Sequence, residues 1–243
     1  TAVEAQTGKQ VIVQDDPNIQ TYATVAIARH GAQAHVIRYK PSPSEEPDYL
    51  ICYQCGFILR KYGVPAEKMV DFGSTDVGTS ITMNLLRNAQ GKKHQLDPEK
   101  MRSAATQLVD GLLVHLISIP LGLRVGAWLR EDYPDLVPLQ DRKVIREIQQ
   151  SEKTNTTEIK RRLPKKIFDN SQAINAAYAM YWAEVLQQPE LAEPFRDYRK
   201  DAKALIDILN TVSSDPENDR ELLDTWAEYL HLSDWYQWVP FQA

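Results

Sequence analysis

The chain has 243 residues, of which 43% are hydrophobic and 25% are charged, a composition typical of globular proteins with a sizeable core. Its net charge of −5 argues against the broad basic surface of nucleic-acid-binding proteins, so we expect no nucleic-acid partner. Two cysteines exclude a disulfide framework, and with no signal sequence and no apolar run long enough to span a bilayer, the sequence predicts a cytoplasmic protein without a membrane role.

The first part of the chain predicts a small β-structure. Residues 1–20 are polar and are interpreted as an extended arm or loop. Residues 21–27 and 34–39 are rich in β-branched side chains and predict two short strands in an antiparallel ribbon. The proline-rich segment 41–47 then interrupts regular structure.

A mostly apolar segment over residues 46–62 predicts a helix, which Gly63 and Pro65 end. Residues 66–97 contain several glycines and polar residues. They predict a loop with one short helical turn near residues 83–87.

The remainder of the chain predicts helices. Apolar positions recur at helical spacing over residues 99–119, Pro120 is expected to kink or end that helix, and residues 121–129 continue as helix. The further helices are predicted over residues 139–150, 170–186, 191–209 and 220–230. The C-terminal residues 235–241 are strongly aromatic and are expected to hold the C-terminus against the helical body.

Together these elements predict an α+β, mostly helical fold. A small N-terminal β-ribbon packs on the helix over 46–62, and a helical body follows it. We divide the chain into an arm over 1–20, an α+β part over 21–135 and a helical part over 136–243. No clear linker separates them, so we treat the chain as one continuous domain.

Two stretches resemble one known family. The sequence ICYQCGFILR over residues 51–60 resembles the active-site helix of the IrrE-like zincin metallopeptidases, which carries His-Glu-x-x-His. The sequence IPLGLRVGAWL over residues 119–129 resembles a downstream segment of that family that carries acidic residues. The resemblance covers residues 20–135 and implies a zincin-like fold.

The same positions lack the residues that zincin chemistry needs. Tyr53 and Phe57 replace the two histidines that bind zinc, and Gln54 replaces the glutamate that acts as general base. Gly122 and Gly126 stand where the downstream acids are expected. The resemblance therefore implies a pseudoenzyme that needs no metal or cofactor. We expect its old cleft to hold a protein or peptide partner, or a small ligand, without cutting it.

Other residues leave alternatives open. His30, His115 and Arg60 are candidate ligand-binding residues, and convergence of the histidines with acids would make an active hydrolase with a non-standard site. The pair Cys52 and Cys55 forms a C-x-x-C, for which we favour inert thiols over a metal or redox role, because no second ligand pair exists.

Two further segments carry weaker alternatives. The basic cluster over residues 160–166 is interpreted as a solvated loop between helices. If the aromatic C-terminus is exposed, the chain is instead a structural or assembly subunit. The sequence does not indicate the oligomeric state.

Overall fold

The computed structural model describes residues 1–29, 31–41, 47–90 and 97–242. Its α-helices are α1 (Ala2–Thr7), α2 (Pro47–Tyr62), α3 (Asp76–Gln90), α4 (Pro98–Asp132), α5 (Val137–Glu152), α6 (Thr157–Arg162), α7 (Lys165–Val185), α8 (Arg199–Thr211) and α9 (Asp219–Tyr229). Its strands are β1 (Gln10–Asp15), β2 (Ala23–Ala26), β3 (Ala34–Tyr39), β4 (Val70–Ser74) and β5 (Tyr236–Pro240). The predicted α+β, mostly helical fold is confirmed.

The N-terminal sheet contains three strands in the order β1-β3-β2. The predicted antiparallel ribbon is confirmed, since β2 pairs antiparallel with β3. The interpretation of residues 1–20 as an extended arm was wrong, because they form α1 and then β1, which pairs parallel with β3. Helix α1 is anchored by its buried residue Val3, and its Glu4 side chain accepts a hydrogen bond from the backbone N–H of Val11 of β1 at 3.2 Å.

A second sheet joins two distant parts of the chain. Strand β4 pairs antiparallel with the C-terminal strand β5, and the Phe72 ring stacks on Tyr236 with centroids 4.1 Å apart. The prediction of a loop over 66–97 was therefore wrong for β4 and for most of α3, although the helical turn predicted near residues 83–87 lies within α3; residues 91–96 lie outside the described residues. The expected burial of the aromatic C-terminus is confirmed, because Trp235, Tyr236 and Phe241 are all buried.

The helical body is built around α4 and α7. Helix α4 continues through Pro120, so the proline does not end the helix. Its residues Leu116 and Leu123 are buried in one cluster with Phe168 and Trp182 of α7. This packing on both sides of Pro120 compensates for the backbone hydrogen bond that proline removes.

Among the described residues, α4 is the one helix long and apolar enough to cross a membrane by length and composition alone. Of its most apolar window, 56% is buried inside the fold, as in the core helix of a globular protein.

The basic cluster was predicted as a loop, but Lys160, Arg161 and Arg162 lie on α6, where they are exposed.

Candidate functional site

Helix α2 lies between the N-terminal sheet and α4. On one side its residue Ile58 is buried with Ile37 of β3 and Val3 of α1. On the other side Tyr49 is buried with Val125 of α4. The sequence that resembles a zincin helix is therefore covered by the sheet on one face and by a second helix on the opposite face.

The face of α2 toward α4 brings three predicted site residues together. The rings of Tyr53 and Phe57 meet edge to face with centroids 5.3 Å apart. The Tyr53 hydroxyl lies against Gly122, where an added Cβ would be closer than 3.0 Å to the hydroxyl oxygen. The aromatic rings at these two positions therefore pack against α4 at Gly122.

Gly126 lies one turn further along α4 and meets different side chains. The Gln140 side-chain amide donates to the Gly126 carbonyl at 2.8 Å. An added Cβ at this glycine would lie 2.8 Å from the Trp182 ring. Both downstream glycines therefore allow close approach of another side chain, Tyr53 at one and Trp182 at the other.

The remaining predicted site residues lie elsewhere. The Gln54 amide donates to the Ala23 carbonyl of β2 at 3.5 Å. His115 has its Nδ1 atom 3.4 Å from the Ser171 hydroxyl oxygen, and burial lowers the pKa of the imidazole. His30 lies outside the described residues. Of the two histidines named in the hydrolase alternative, the structure thus describes His115, which lies next to Ser171.

A polar cluster that the sequence did not reveal borders Tyr53. Lys143 of α5 pairs with Glu147 although its own side chain is only 7% exposed, and its ammonium group lies 6.0 Å from the Tyr53 ring centroid. The Tyr178 hydroxyl donates to Glu147 at 2.7 Å. Burial raises the pKa of both the Tyr53 and the Tyr178 phenols well above the usual range. At neutral pH these groups are neutral and are poor zinc ligands.

The two cysteines of α2 are half-buried and free. Burial raises the pKa of the Cys52 thiol and raises that of Cys55 to about 11. Since the thiolate is the reactive and metal-binding form, this environment favours inert thiols.

Arg60 takes part in a second, charged arrangement on α2. Its Nε atom donates to Asp219 of α9 at 2.8 Å, and its Nη2 atom donates to the Ser214 carbonyl at 2.8 Å. Arg124 of α4 donates to the same carboxylate at 2.7 Å and to the Ser213 carbonyl at 2.6 Å. Two guanidinium groups therefore share one carboxylate.

These charges stand beside a cleft of about 590 Å³ between α2, α4 and the segment that follows α8. Arg60 and Arg124 line it, together with Leu59, Trp128 and Leu209. Tyr53, Gln54 and Phe57 do not. The cleft therefore borders the C-terminal part of α2, up to two turns beyond Tyr53.

Arg124 and Asp219 were not predicted as site residues. The signal that was present is a single arginine within the apolar stretch over 119–129, since a charged residue in such a stretch needs a partner. The sequence could not identify that partner, which lies 95 positions further along the chain.

Among residues 1–29, 31–41, 47–90 and 97–242, no group of three or more histidine, cysteine, aspartate or glutamate side chains is placed to hold a metal ion. Comparison with known proteins gave no match to a protein family, to a curated protein or to a solved structure.

Proposed function

We propose that this chain is a zincin-like protein without metallopeptidase activity, which acts by binding a protein or peptide partner. The observation that carries the proposal is the contact of Tyr53 and Phe57 with Gly122. A zinc site needs three or four ligands around an ion, and aromatic rings at these positions provide no ligand and fill the space.

Two features of the fold support a zincin-like origin for this arrangement. The sheet covers the face of α2 that carries Ile58, and Tyr53 packs on the opposite face against the cluster that contains Val125 of α4. The resembled downstream segment in α4 supplies Gly122 at the same point. We assign the binding role to the cleft beside Arg60, because residues of α2 line this cleft.

The proposal is tested by restoring the missing groups. The variant combines Tyr53→His, Gln54→Glu, Phe57→His and Gly122→Glu. Position 122 is chosen because the space at Gly126 is taken by Trp182. Removing the Tyr53 phenol opens room for the new carboxylate, so we expect the folded variant to bind about one zinc ion per chain.

Zinc content is measured by mass spectrometry, and folding of the variant is checked by circular dichroism. The control variant carries Gly111→Glu in place of Gly122→Glu, since position 111 is an exposed site on the same helix. A folded variant that binds no zinc, or one that binds no better than the control, would count against the zincin-like arrangement.

A further inference from the structure

The cleft beside α2 has an apolar body and a cationic end. Its walls include Leu59, Leu123, Ala127, Trp128, Tyr181 and Leu209. A volume of about 590 Å³ lies within the range of small-ligand and peptide side-chain pockets. The two guanidinium groups of Arg60 and Arg124 line the same cleft.

The cationic end has hydrogen-bond donors with no acceptor in the described chain. The Arg124 side chain is only 4% exposed, and its buried Nε–H makes no hydrogen bond with the described residues. Arg60 uses Nε and Nη2 for Asp219 and Ser214, and its Nη1 group donates to no described residue. Because buried donors are nearly always satisfied, the Nε–H of Arg124 lacks the acceptor that such a group normally has, and the Nη1 group of Arg60 is available to an acceptor in the cleft.

The local charge balance favours an anionic acceptor. Asp219 serves both guanidinium groups, so one positive charge is left over. Asp215 lies near Arg124, but it is exposed and already accepts a hydrogen bond from Ser213. Glu131 also lines the cleft, seven positions along α4 from Arg124, which is about 10 Å along the helix axis.

We infer that the cleft recognises an acidic side chain of a peptide, whose carboxylate binds Arg60 and Arg124 while neighbouring apolar side chains pack on Trp128 and Leu209. This inference rests on the proposed binding function and gives it a ligand class. Arginine suits the role because its guanidinium group stays charged at neutral pH and carries five N–H donors, so donors remain after those given to Asp219, Ser213 and Ser214.

The test uses two capped pentapeptides, acetyl-Leu-Phe-Glu-Leu-Phe-amide and the same peptide with Gln in place of Glu. Binding is followed by calorimetry and by the Nε–H resonance of Arg124 in nuclear magnetic resonance spectra, assigned with the Arg124→Lys variant. We expect the Glu peptide to bind at least about tenfold more tightly than the Gln peptide and to shift this resonance.

A pair of matched variants localises the effect. Arg60→Gln removes the surplus charge and leaves the Arg124–Asp219 pair neutral, so the preference for the Glu peptide should fall to about twofold or less. Arg29→Gln serves as the control, because Arg29 shares Asp71 with Lys61 in a similar arrangement that does not line the cleft.

The outcomes separate this inference from the proposal on which it rests. Equal binding of the two peptides would overturn carboxylate recognition and keep the cleft as a peptide site. Binding of 3-phenylpropionate as tightly as the Glu peptide would overturn a peptide as the source of the carboxylate. If neither peptide binds at millimolar concentration, both the inference and the assignment of the cleft as a peptide site are overturned. Zinc bound to the wild-type protein would overturn only the proposal that the protein lacks metallopeptidase chemistry.

Discussion

Helix α2 makes two contacts with the helical body that differ in their physical character. At Tyr53 it packs an aromatic side chain against Gly122, so closely that an added Cβ at this glycine would meet the Tyr53 hydroxyl. At Arg60 it meets Asp219 and Arg124 through charged hydrogen bonds beside open space. The comparison separates a closely packed contact at Tyr53 from a charged contact at Arg60 that borders the cleft.

The largest expected effect is on the charged contact. Asp219→Ala leaves the guanidinium groups of Arg60 and Arg124 without their shared carboxylate in a mostly buried place. We expect the free energy of unfolding to fall by about 3 kcal/mol. Urea denaturation measures it, with Glu217→Ala as control, since Glu217 pairs with Lys68 at the exposed surface and should contribute at most about 0.5 kcal/mol. Equal effects of the two variants would contradict the structural role of Asp219.

The next effect tests the aromatic contact. Gly122→Ala places a methyl group against the Tyr53 hydroxyl, so we expect a loss of about 2 kcal/mol in the free energy of unfolding. Gly111→Ala is the matched control on the same helix, where an added Cβ meets nothing within 4 Å. Alanine should stabilise the protein there by up to about 1 kcal/mol.

A double-mutant cycle sharpens this contrast. Adding Tyr53→Phe to Gly122→Ala removes the hydroxyl oxygen that the methyl group meets, so part of the lost stability should return. Additive effects of the two substitutions on the free energy of unfolding would contradict the close approach of Tyr53 and Gly122.

A smaller effect concerns the sheet side of α2. His35 accepts a hydrogen bond from the Ala28 backbone N–H through Nδ1 and packs edge to face on Tyr62. Burial, and then the charge of Lys9, lowers the pKa of this imidazole below its usual value of 6.5. Between the lowered and the usual pKa the unfolded chain binds more protons than the folded one. The free energy of unfolding should therefore fall as the pH drops below 6.5.

Nuclear magnetic resonance titration of the His35 ring measures this pKa directly. Burial acts in the same direction on His115, so both rings should stay neutral to lower pH than an exposed histidine does. A ring of His35 that titrates at 6.5 or above would contradict the buried, neutral state.

The smallest effect is on the cysteines between the two faces of α2. Because burial raises the pKa of both thiols, iodoacetamide at neutral pH should alkylate Cys52 and Cys55 far more slowly than it alkylates a small free thiol. Mass spectrometry of the alkylated protein follows the rates. Rapid alkylation of Cys55 would indicate an activated thiol and reopen the redox alternative.

The sequence predicted the elements whose own residues carry a local pattern typical of a strand or a helix. The β-branched residues of β2 and β3 and the apolar periodicity of α2 were sufficient. Strand β1 was missed because it is an edge strand whose residues are mostly exposed, and β4 was missed because its partner β5 lies at the other end of the chain. Pro120 was expected to kink or end the helix because local sequence does not show the packing that supports both halves of α4.

The candidate site was predictable only in part. The resemblance grouped Tyr53, Gln54, Phe57, Gly122 and Gly126 as candidates for one site, and of these the structure brings Tyr53, Phe57 and Gly122 together. That Gln54 turns to β2 depends on the orientation of α2. The Arg60 and Arg124 pair required the position of Asp219, which only the folded chain supplies.

The central claim is that the α2–α4 contact occupies the place of a metal site. Zinc content of the wild-type protein, purified without chelators from zinc-supplemented cells, tests it most directly. We expect zinc well below one ion per chain, because Tyr53 and Phe57 provide no ligand at neutral pH. One zinc ion per chain that is lost on substitution of Tyr53 or Phe57 would contradict the account.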